Sequence, residues 1–249
     1  MQQNSFLACY AVDMRTIGIL GAGSFGLFLA EKLEPYADVK VYSRSGNGGR
    51  WSATLEEVAG CDWLIPSVPL HAYETALTAC KPFIKPETVI VDVCSVKSEP
   101  MRLLAELLPD NPKVATHPLF GPESAANSLE GHVMVLCKEA SEPPAYQQVK
   151  AFSEQLGLKI IEMTTDEHDQ EMAVVQGLTF FIAHALKDMG LHHMKLETPS
   201  FKRLVHLAEL ETHHSDDLFQ TIQSGNARTA AVRQKFVDEV TRINSLLNN

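Results

Sequence analysis

The 249-residue chain has no excess of positive charge: 21 Lys and Arg stand against 31 Asp and Glu, a formal net charge of −10. Duplex nucleic acid or an anionic membrane needs a basic surface, so neither is expected as a partner, whereas a few local donors can still hold a small anion. Cysteine is scarce and scattered. Cys9, Cys61, Cys80, Cys94 and Cys137 are odd in number and never spaced C-x-x-C. That excludes a disulfide frame or a cysteine zinc site and points to reduced thiols in a cytoplasmic protein. No apolar run approaches the ~20 residues of a membrane span. The opening stretch MQQNSFLACYAVDM lacks the basic start of a signal peptide. Because Met14 directly precedes the first strand pattern, residues 1–13 read as an extension or alternative start without function. Repeats and low-complexity tracts are also missing. What is left is 45% hydrophobic and 21% charged, enough core for one large domain or two modest ones.

What is there alternates. Short β-rich runs occur at Thr16–Leu20, Val39–Tyr42, Trp63–Val68, Val89–Val93, Lys113–Thr116, Val133–Cys137 and Leu158–Met163. Helical patterns lie between them, at Phe25–Leu33, Thr54–Ala59, Ala72–Ala79, Pro100–Leu108 and Ser141–Gln155. Such alternation predicts β-α-β crossovers and a mainly parallel sheet. Beyond Thr164 the pattern is helical throughout. One helix is predicted over Asp166–Met189, stopping at Gly190, although Gly177 inside it costs ~1 kcal/mol of propensity. Others are predicted over Ser200–Glu211, Ser215–Ser224 and Asn226–Leu247. The expected fold class is therefore α/β, a Rossmann-type dinucleotide-binding domain over 14–164, followed by an all-α domain over 165–249. Ala230, Val237, Val240 and Leu247 share a face of the last helix that so few residues could hardly bury, which predicts a homodimer.

The first strand runs into Gly21-Ala22-Gly23-Ser24-Phe25-Gly26, a G-x-G-x-x-G segment that ends a strand and opens a helix. Gly21 permits the tight turn, Gly23 lets backbone approach a pyrophosphate, and Gly26 lets helix and strand pack closely. With Ser24 and Phe25, these residues form the expected phosphate site at a helix N-terminus. A tight structural turn is the plainer alternative. Val68 and Pro69, where the third strand run ends, are expected to flank the same cofactor. The second strand ends in Tyr42-Ser43-Arg44-Ser45, with no acidic residue between Ser43 and Arg50 to hold a ribose 2′-hydroxyl. Arg44 offers a planar guanidinium for a 2′-phosphate, and Ser43 and Ser45 add short donors, so NADP is expected over NAD.

Two segments at later strand ends carry candidate chemistry. Asp92-Val93-Cys94-Ser95-Val96-Lys97 follows the fourth strand, and His117-Pro118-Leu119-Phe120-Gly121-Pro122-Glu123-Ser124 follows the fifth. Ser95-x-Lys97 admits a Ser/Lys hydrolase dyad, which a nucleotide-binding sheet makes a poor reading. His117, expected in a Pro/Gly-rich loop, titrates near neutrality and can accept an alcohol proton during hydride removal. Neither His192-His193 nor His213-His214 has the carboxylate spacing of a zinc site, so no metal is expected. His168, beside Asp166, Glu167 and Asp169, reads as structural at a helix N-terminus.

Together, the glycine loop, Asp92–Lys97, His117–Ser124 and Asp166-Glu167-His168-Asp169 resemble the prephenate/arogenate dehydrogenase family, over Thr16 to Asn244. Tyr42–Ser45 and Phe120–Ser124 are most similar to its plant-type, NADP-using branch. The resemblance implies oxidative decarboxylation of an anionic cyclohexadienol and a helical dimerisation domain. It implies that His117 takes the proton of the ring C4 hydroxyl and that Ser95 binds and orients that hydroxyl. Many relatives carry Arg or His in the helix after the E-H-D segment. Here Gln176-Gly177-Leu178-Thr179 has neither, so Gln176 and Thr179 are expected to contact substrate without charge. Lys202, Arg203 or another subunit would then supply the cation. In the plant-type branch the residue shortly after the F-G-P-E-S segment separates arogenate from prephenate. The matching Asn127 is neutral and implies prephenate. Rival readings are a two-domain reductase of pyrroline-carboxylate or β-hydroxyacid type, and a non-catalytic NADP-binding sensor.

Overall fold

The computed structural model describes residues 16–248; Cys9 and the 1–13 segment lie outside them. The chain divides into two compact units between Thr165 and Asp166. In the first, seven strands form one sheet: β1 (Thr16–Leu20), β2 (Asp38–Tyr42), β3 (Trp63–Pro66), β4 (Val89–Asp92), β5 (Lys113–Pro118), β6 (Val133–Cys137) and β7 (Lys159–Met163). Their order is β2-β1-β3-β4-β5-β6-β7. Every neighbouring pair is parallel except β5 and β6. The exception has a simple cause. No helix follows β5 to carry the chain back across the sheet, so it returns directly beside itself.

Helices cover both faces of this sheet. The first face holds α1 (Ser24–Leu33) and α5 (Pro143–Gln155), whose Phe28, Leu29, Leu33, Tyr146, Val149 and Phe152 pack with Ile17, Ile19, Val39 and Val91. The second holds α2 (Leu55–Ala59), α3 (Leu70–Cys80) and α4 (Ser98–Leu107), which pack Val58, Tyr73, Leu77, Leu103 and Leu104 on Leu64 and Ile90. Burial on both faces explains why β1, β3, β4 and β6 are near-continuous apolar runs, whereas the edge strand β2 alternates and the edge strand β7 is largely exposed.

The second unit contains α6 (Thr165–Met172, whose first residue belongs to the preceding unit), α7 (Thr179–Asp188), α8 (Pro199–Glu211), α9 (Asp216–Ser224) and α10 (Thr229–Leu247). The single helix expected over 166–189 is interrupted. Ala173–Leu178 takes a π-helical turn between α6 and α7. Gly177 in that turn has a packing reason, because a Cβ there would lie 2.6 Å from the Thr229 side chain of α10. Gly190 has φ +76°, the left-handed conformation that ends a helix. No helix among the described residues is long and apolar enough to cross a membrane.

Candidate active site

The glycine segment has the geometry a phosphate cradle requires. Gly21 has φ +123°, and a Cβ on it would fall 2.3 Å from the Ser67 carbonyl oxygen. One on Gly26 would fall 2.1 Å from the Gly21 carbonyl oxygen, so α1 meets β1 at backbone distance. Around Gly23 the same construction meets nothing within 4 Å. That space is open to a ligand. The strand order reverses at β1, between β2 and β3, and ligands of such sheets bind outside the carboxyl ends at that reversal.

Electrostatics agree with the steric picture. Helices α2 and α9 are capped by Thr54 and Ser215 and carry Glu56, Glu57 and Asp216, Asp217 in their first turns. By contrast, α1 has Gly23 at its cap, no side-chain cap and no first-turn acid. Its first N–H groups and positive dipole end are left for an external anion. Ser24 is the first residue of α1, and Phe25 packs on Phe28 at 6.0 Å between ring centres. Val68 lies against Gly21, and Pro69 caps α3. Ser67, not singled out by sequence, joins them. Its N–H donates to the Leu20 carbonyl at 2.8 Å and its carbonyl closes over Gly21. Only its position at the end of the third strand hinted at this.

Two arginines, Arg44 and Arg50, follow β2, and they differ. Arg50 is engaged: it donates to both Glu34 oxygens, at 3.1 and 2.5 Å, and stacks over Trp51 at 4.4 Å. Arg50 holds the Glu34 carboxyl below its ordinary range. Arg44 is exposed and has no ion pair among the described residues. Beside it, Ser43 and Ser45 bond each other through their hydroxyls at 2.8 Å.

Ser95 and His117 leave adjacent strands. The β4–β5 register pairs Asp92 with Ala115, so both residues stand within three positions of one cross-strand pair. His117 is not in a loop as expected. β5 continues through Pro118, pairing His117 with Val135, because antiparallel β6 extends the ladder past Thr116. His117 is buried, whereas Ser95 is half-buried with no hydroxyl partner among the described residues.

Beneath them lies a network that sequence spacing did not reveal. Lys97 is fully buried and donates to both the Asp92 carboxylate and the Thr116 carbonyl. Asp92 also accepts from the Tyr73 hydroxyl at 2.7 Å and the Cys94 N–H at 3.1 Å. The Thr116 hydroxyl donates to the Asp92 carbonyl at 2.7 Å. A lysine held this way is a strut between β4 and β5, not a base for Ser95, which removes the structural support for a Ser/Lys dyad. Burial first, then the Asp92 charge, pushes the Cys94 thiol up to about 12.

The remaining candidates lie on other elements. Asn127 is exposed on the 119–132 connection with no side-chain partner among the described residues. Gln176 and Thr179 belong to the second unit, in the π turn and at the start of α7. The Gln176 carboxamide oxygen is buried without a partner among the described residues. There too, Lys202 and Arg203 are exposed on α8, and His168 is buried with Nδ1 2.9 Å from Asp169. The histidine pairs are exposed: His193 lies against Glu197 at 2.6 Å and His214 stacks on Phe180 at 5.4 Å.

These features define a nucleotide-binding α/β domain of the dehydrogenase kind, followed by a helical unit. Residues 47–162 match the family model described as "Prephenate dehydrogenase, nucleotide-binding domain", and the chain resembles the prephenate/arogenate dehydrogenases. It is 29% identical to "Arogenate dehydrogenase 2, chloroplastic" of Arabidopsis thaliana over 221 residues, covering 82% of this chain and 62% of that one. It is 31% identical to the "T-protein" of Enterobacter agglomerans over 181 residues, covering 72% and 46%. The chain thus spans about half the length of the curated relatives it matches. The fold is that of prephenate dehydrogenase from Aquifex aeolicus, solved with hydroxyphenyl propionate and NAD+, at TM-score 0.75 and 20% identity over 95% of this chain and 92% of that one.

Proposed function

We propose that this protein is an NADP-dependent dehydrogenase that oxidatively decarboxylates prephenate, with arogenate as the alternative substrate, in tyrosine biosynthesis. The reading rests above all on Ser95 and His117, at adjacent strand ends on the sheet edge that carries the Gly21–Gly26 cradle. The open space at Gly23 and the uncapped α1 suit a pyrophosphate, with Ser24, Phe25, Val68 and Pro69 around it. Arg44, with Ser43 and Ser45, receives the 2′-phosphate. A bound nicotinamide supplies the hydride acceptor.

The protein's own residues have a limited task. Ser95 binds and orients the ring C4 hydroxyl, and His117 accepts its proton as hydride leaves C4. The new carbonyl is conjugated with the carbon bearing the ring carboxylate, so CO₂ departs and its bonding electrons enter the ring. The aromatic phenol formed, 4-hydroxyphenylpyruvate from prephenate or tyrosine from arogenate, makes the step effectively irreversible. Holding the reacting groups in place does the rest.

Residues 14–164 serve the cofactor in this reading, and 165–249 serve substrate and dimerisation. Gln176 and Thr179 hydrogen-bond the substrate, while Lys202, Arg203 or the second subunit meets a carboxylate. The exposed Val237, Val240, Ile243 and Leu246 of α10 suit a homodimer interface, testable by light scattering. The thiols of Cys61, Cys80 and Cys94, in no disulfide among the described residues, suit a reducing cytoplasm. The match to a prephenate dehydrogenase domain favours this reading over a pyrroline-carboxylate or β-hydroxyacid reductase.

Reduction of NADP+ or NAD+ by the purified protein, followed by absorbance with prephenate or arogenate, tests the reading. Prephenate with NADP+ is expected to be the preferred pair, and Asn127→Asp to shift kcat/KM toward arogenate by roughly 5- to 150-fold. Absence of turnover with both substrates would overturn it.

A further inference from the structure

Lys32 has no part in the chemistry above, yet it is held in place. It lies two turns into α1, its side chain is 15% exposed, and its ammonium donates to the Ala126 carbonyl at 2.5 Å. The Glu31 carboxylate is 3.2 Å away, and the ammonium lies 5.6 Å from the centre of the Phe28 ring. Fixing a lysine costs much of its rotamer freedom, and an unconstrained one would extend into solvent. Ala126 is itself exposed, so water could satisfy its carbonyl. The bond therefore matters for where it holds the chain.

What it holds is the arch that presents Asn127. The 119–132 connection is anchored in the core by Phe120, Ala125 and Leu129. Between the last two anchors, Ala126, Asn127 and Ser128 arch outward, all exposed. Ser128 bonds locally, to the Glu130 N–H at 3.0 Å. A cleft of about 320 Å³, lined among others by Ser24, Phe28, Lys32, Trp51, Pro122 and Ala126, opens beside the Lys32 bond. Phe120 meets Phe28 of α1 at 6.3 Å between ring centres and fixes the base of the connection, and the Lys32 bond ties the exposed arch itself to the same helix.

We infer that Lys32 is a positioning residue for substrate discrimination, tying the Asn127 arch to the helix whose N-terminus forms the cofactor cradle. The inference rests on the proposed dehydrogenase activity and on Asn127 reading the keto or ammonium end of the substrate.

The test compares Lys32→Met with the wild type on prephenate and arogenate, with hydrogen–deuterium exchange over 121–130. Loss of a charge-assisted bond should lower the prephenate/arogenate ratio of kcat/KM about tenfold, toward parity. Exchange in the arch should quicken, while KM for NADP+ should stay within about twofold. Lys32→Arg, which keeps a charged donor, should restore most of the ratio. Should Lys32→Met not fold, Lys32→Gln is read in the same way. An unchanged ratio in an active enzyme overturns the inference alone. So does a uniform loss affecting both substrates and NADP+ together with the melting temperature, which marks a merely structural lysine. A wild type inactive on both substrates overturns the dehydrogenase reading, and this inference with it.

Discussion

Lys97 and Asp92 form an ion pair in which neither side chain has any solvent exposure. One partner ends β4 and the other opens the turn into α4, and the same ammonium reaches across to Thr116 on β5. The pair thus sets the spacing of the two strand ends that carry Ser95 and His117. Geometry of this kind makes an unpaired survivor costly.

Lys97→Met should therefore destabilise the protein by about 3–5 kcal/mol in urea unfolding, since it leaves the Asp92 carboxylate buried and uncompensated. Lys97→Met with Asp92→Asn should recover much of that loss, because the amide still accepts from Tyr73 and Cys94. A single variant within about 1 kcal/mol of wild type would show that the pair carries no such load.

Cys94 and Cys80 are both pushed up to about 12, each chiefly by burial, from a reference near 9. Above that reference the unfolded chain releases thiol protons that the native state retains. Stability should then fall with rising pH, by about 1.4 kcal/mol per unit for each thiol between about pH 9 and 12. Below pH 9 the two thiols should contribute no slope. Native Cys94 should also resist iodoacetamide at pH 8, as mass spectrometry of its peptide will report, because the thiolate is the nucleophile. Rapid alkylation of Cys94 in the folded protein would contradict both expectations.

His117→Asn should lower kcat by roughly 10²–10⁴, the usual worth of a positioned general base, with KM for NADP+ nearly unchanged. Near-full turnover in that variant removes His117 from the mechanism.

Arg44→Ala should raise KM for NADP+ about tenfold or more and leave KM for NAD+ nearly unaffected, because a charge-assisted phosphate contact is lost. Arg50→Ala, whose guanidinium is already committed to Glu34, should show no such cofactor bias. Equal effects of Arg44→Ala on both cofactors would mean that Arg44 does not meet the 2′-phosphate.

The amino-acid sequence by itself determined the local features of this protein. Gly21, Gly23 and Gly26 mark the cradle by their spacing alone, because what matters there is a missing Cβ on a strand-to-helix turn. The apolar runs of β1, β3, β4 and β6 are likewise legible, since a strand buried on both faces has no polar alternation. Tertiary structure decided everything that depends on a distant partner. Arg44 and Arg50 look alike along the chain, and only Glu34 and Trp51, brought in by packing, commit the second and leave the first available. His117 is a strand residue because β6 pairs with it, and the π turn around Gly177 accommodates Thr229 from α10. Lys32 and Ala126 are 94 residues apart in sequence and 2.5 Å apart in space. Local spacing encodes backbone geometry, but which charges are paired, buried or left for a ligand is set by which side chains the folded core brings together.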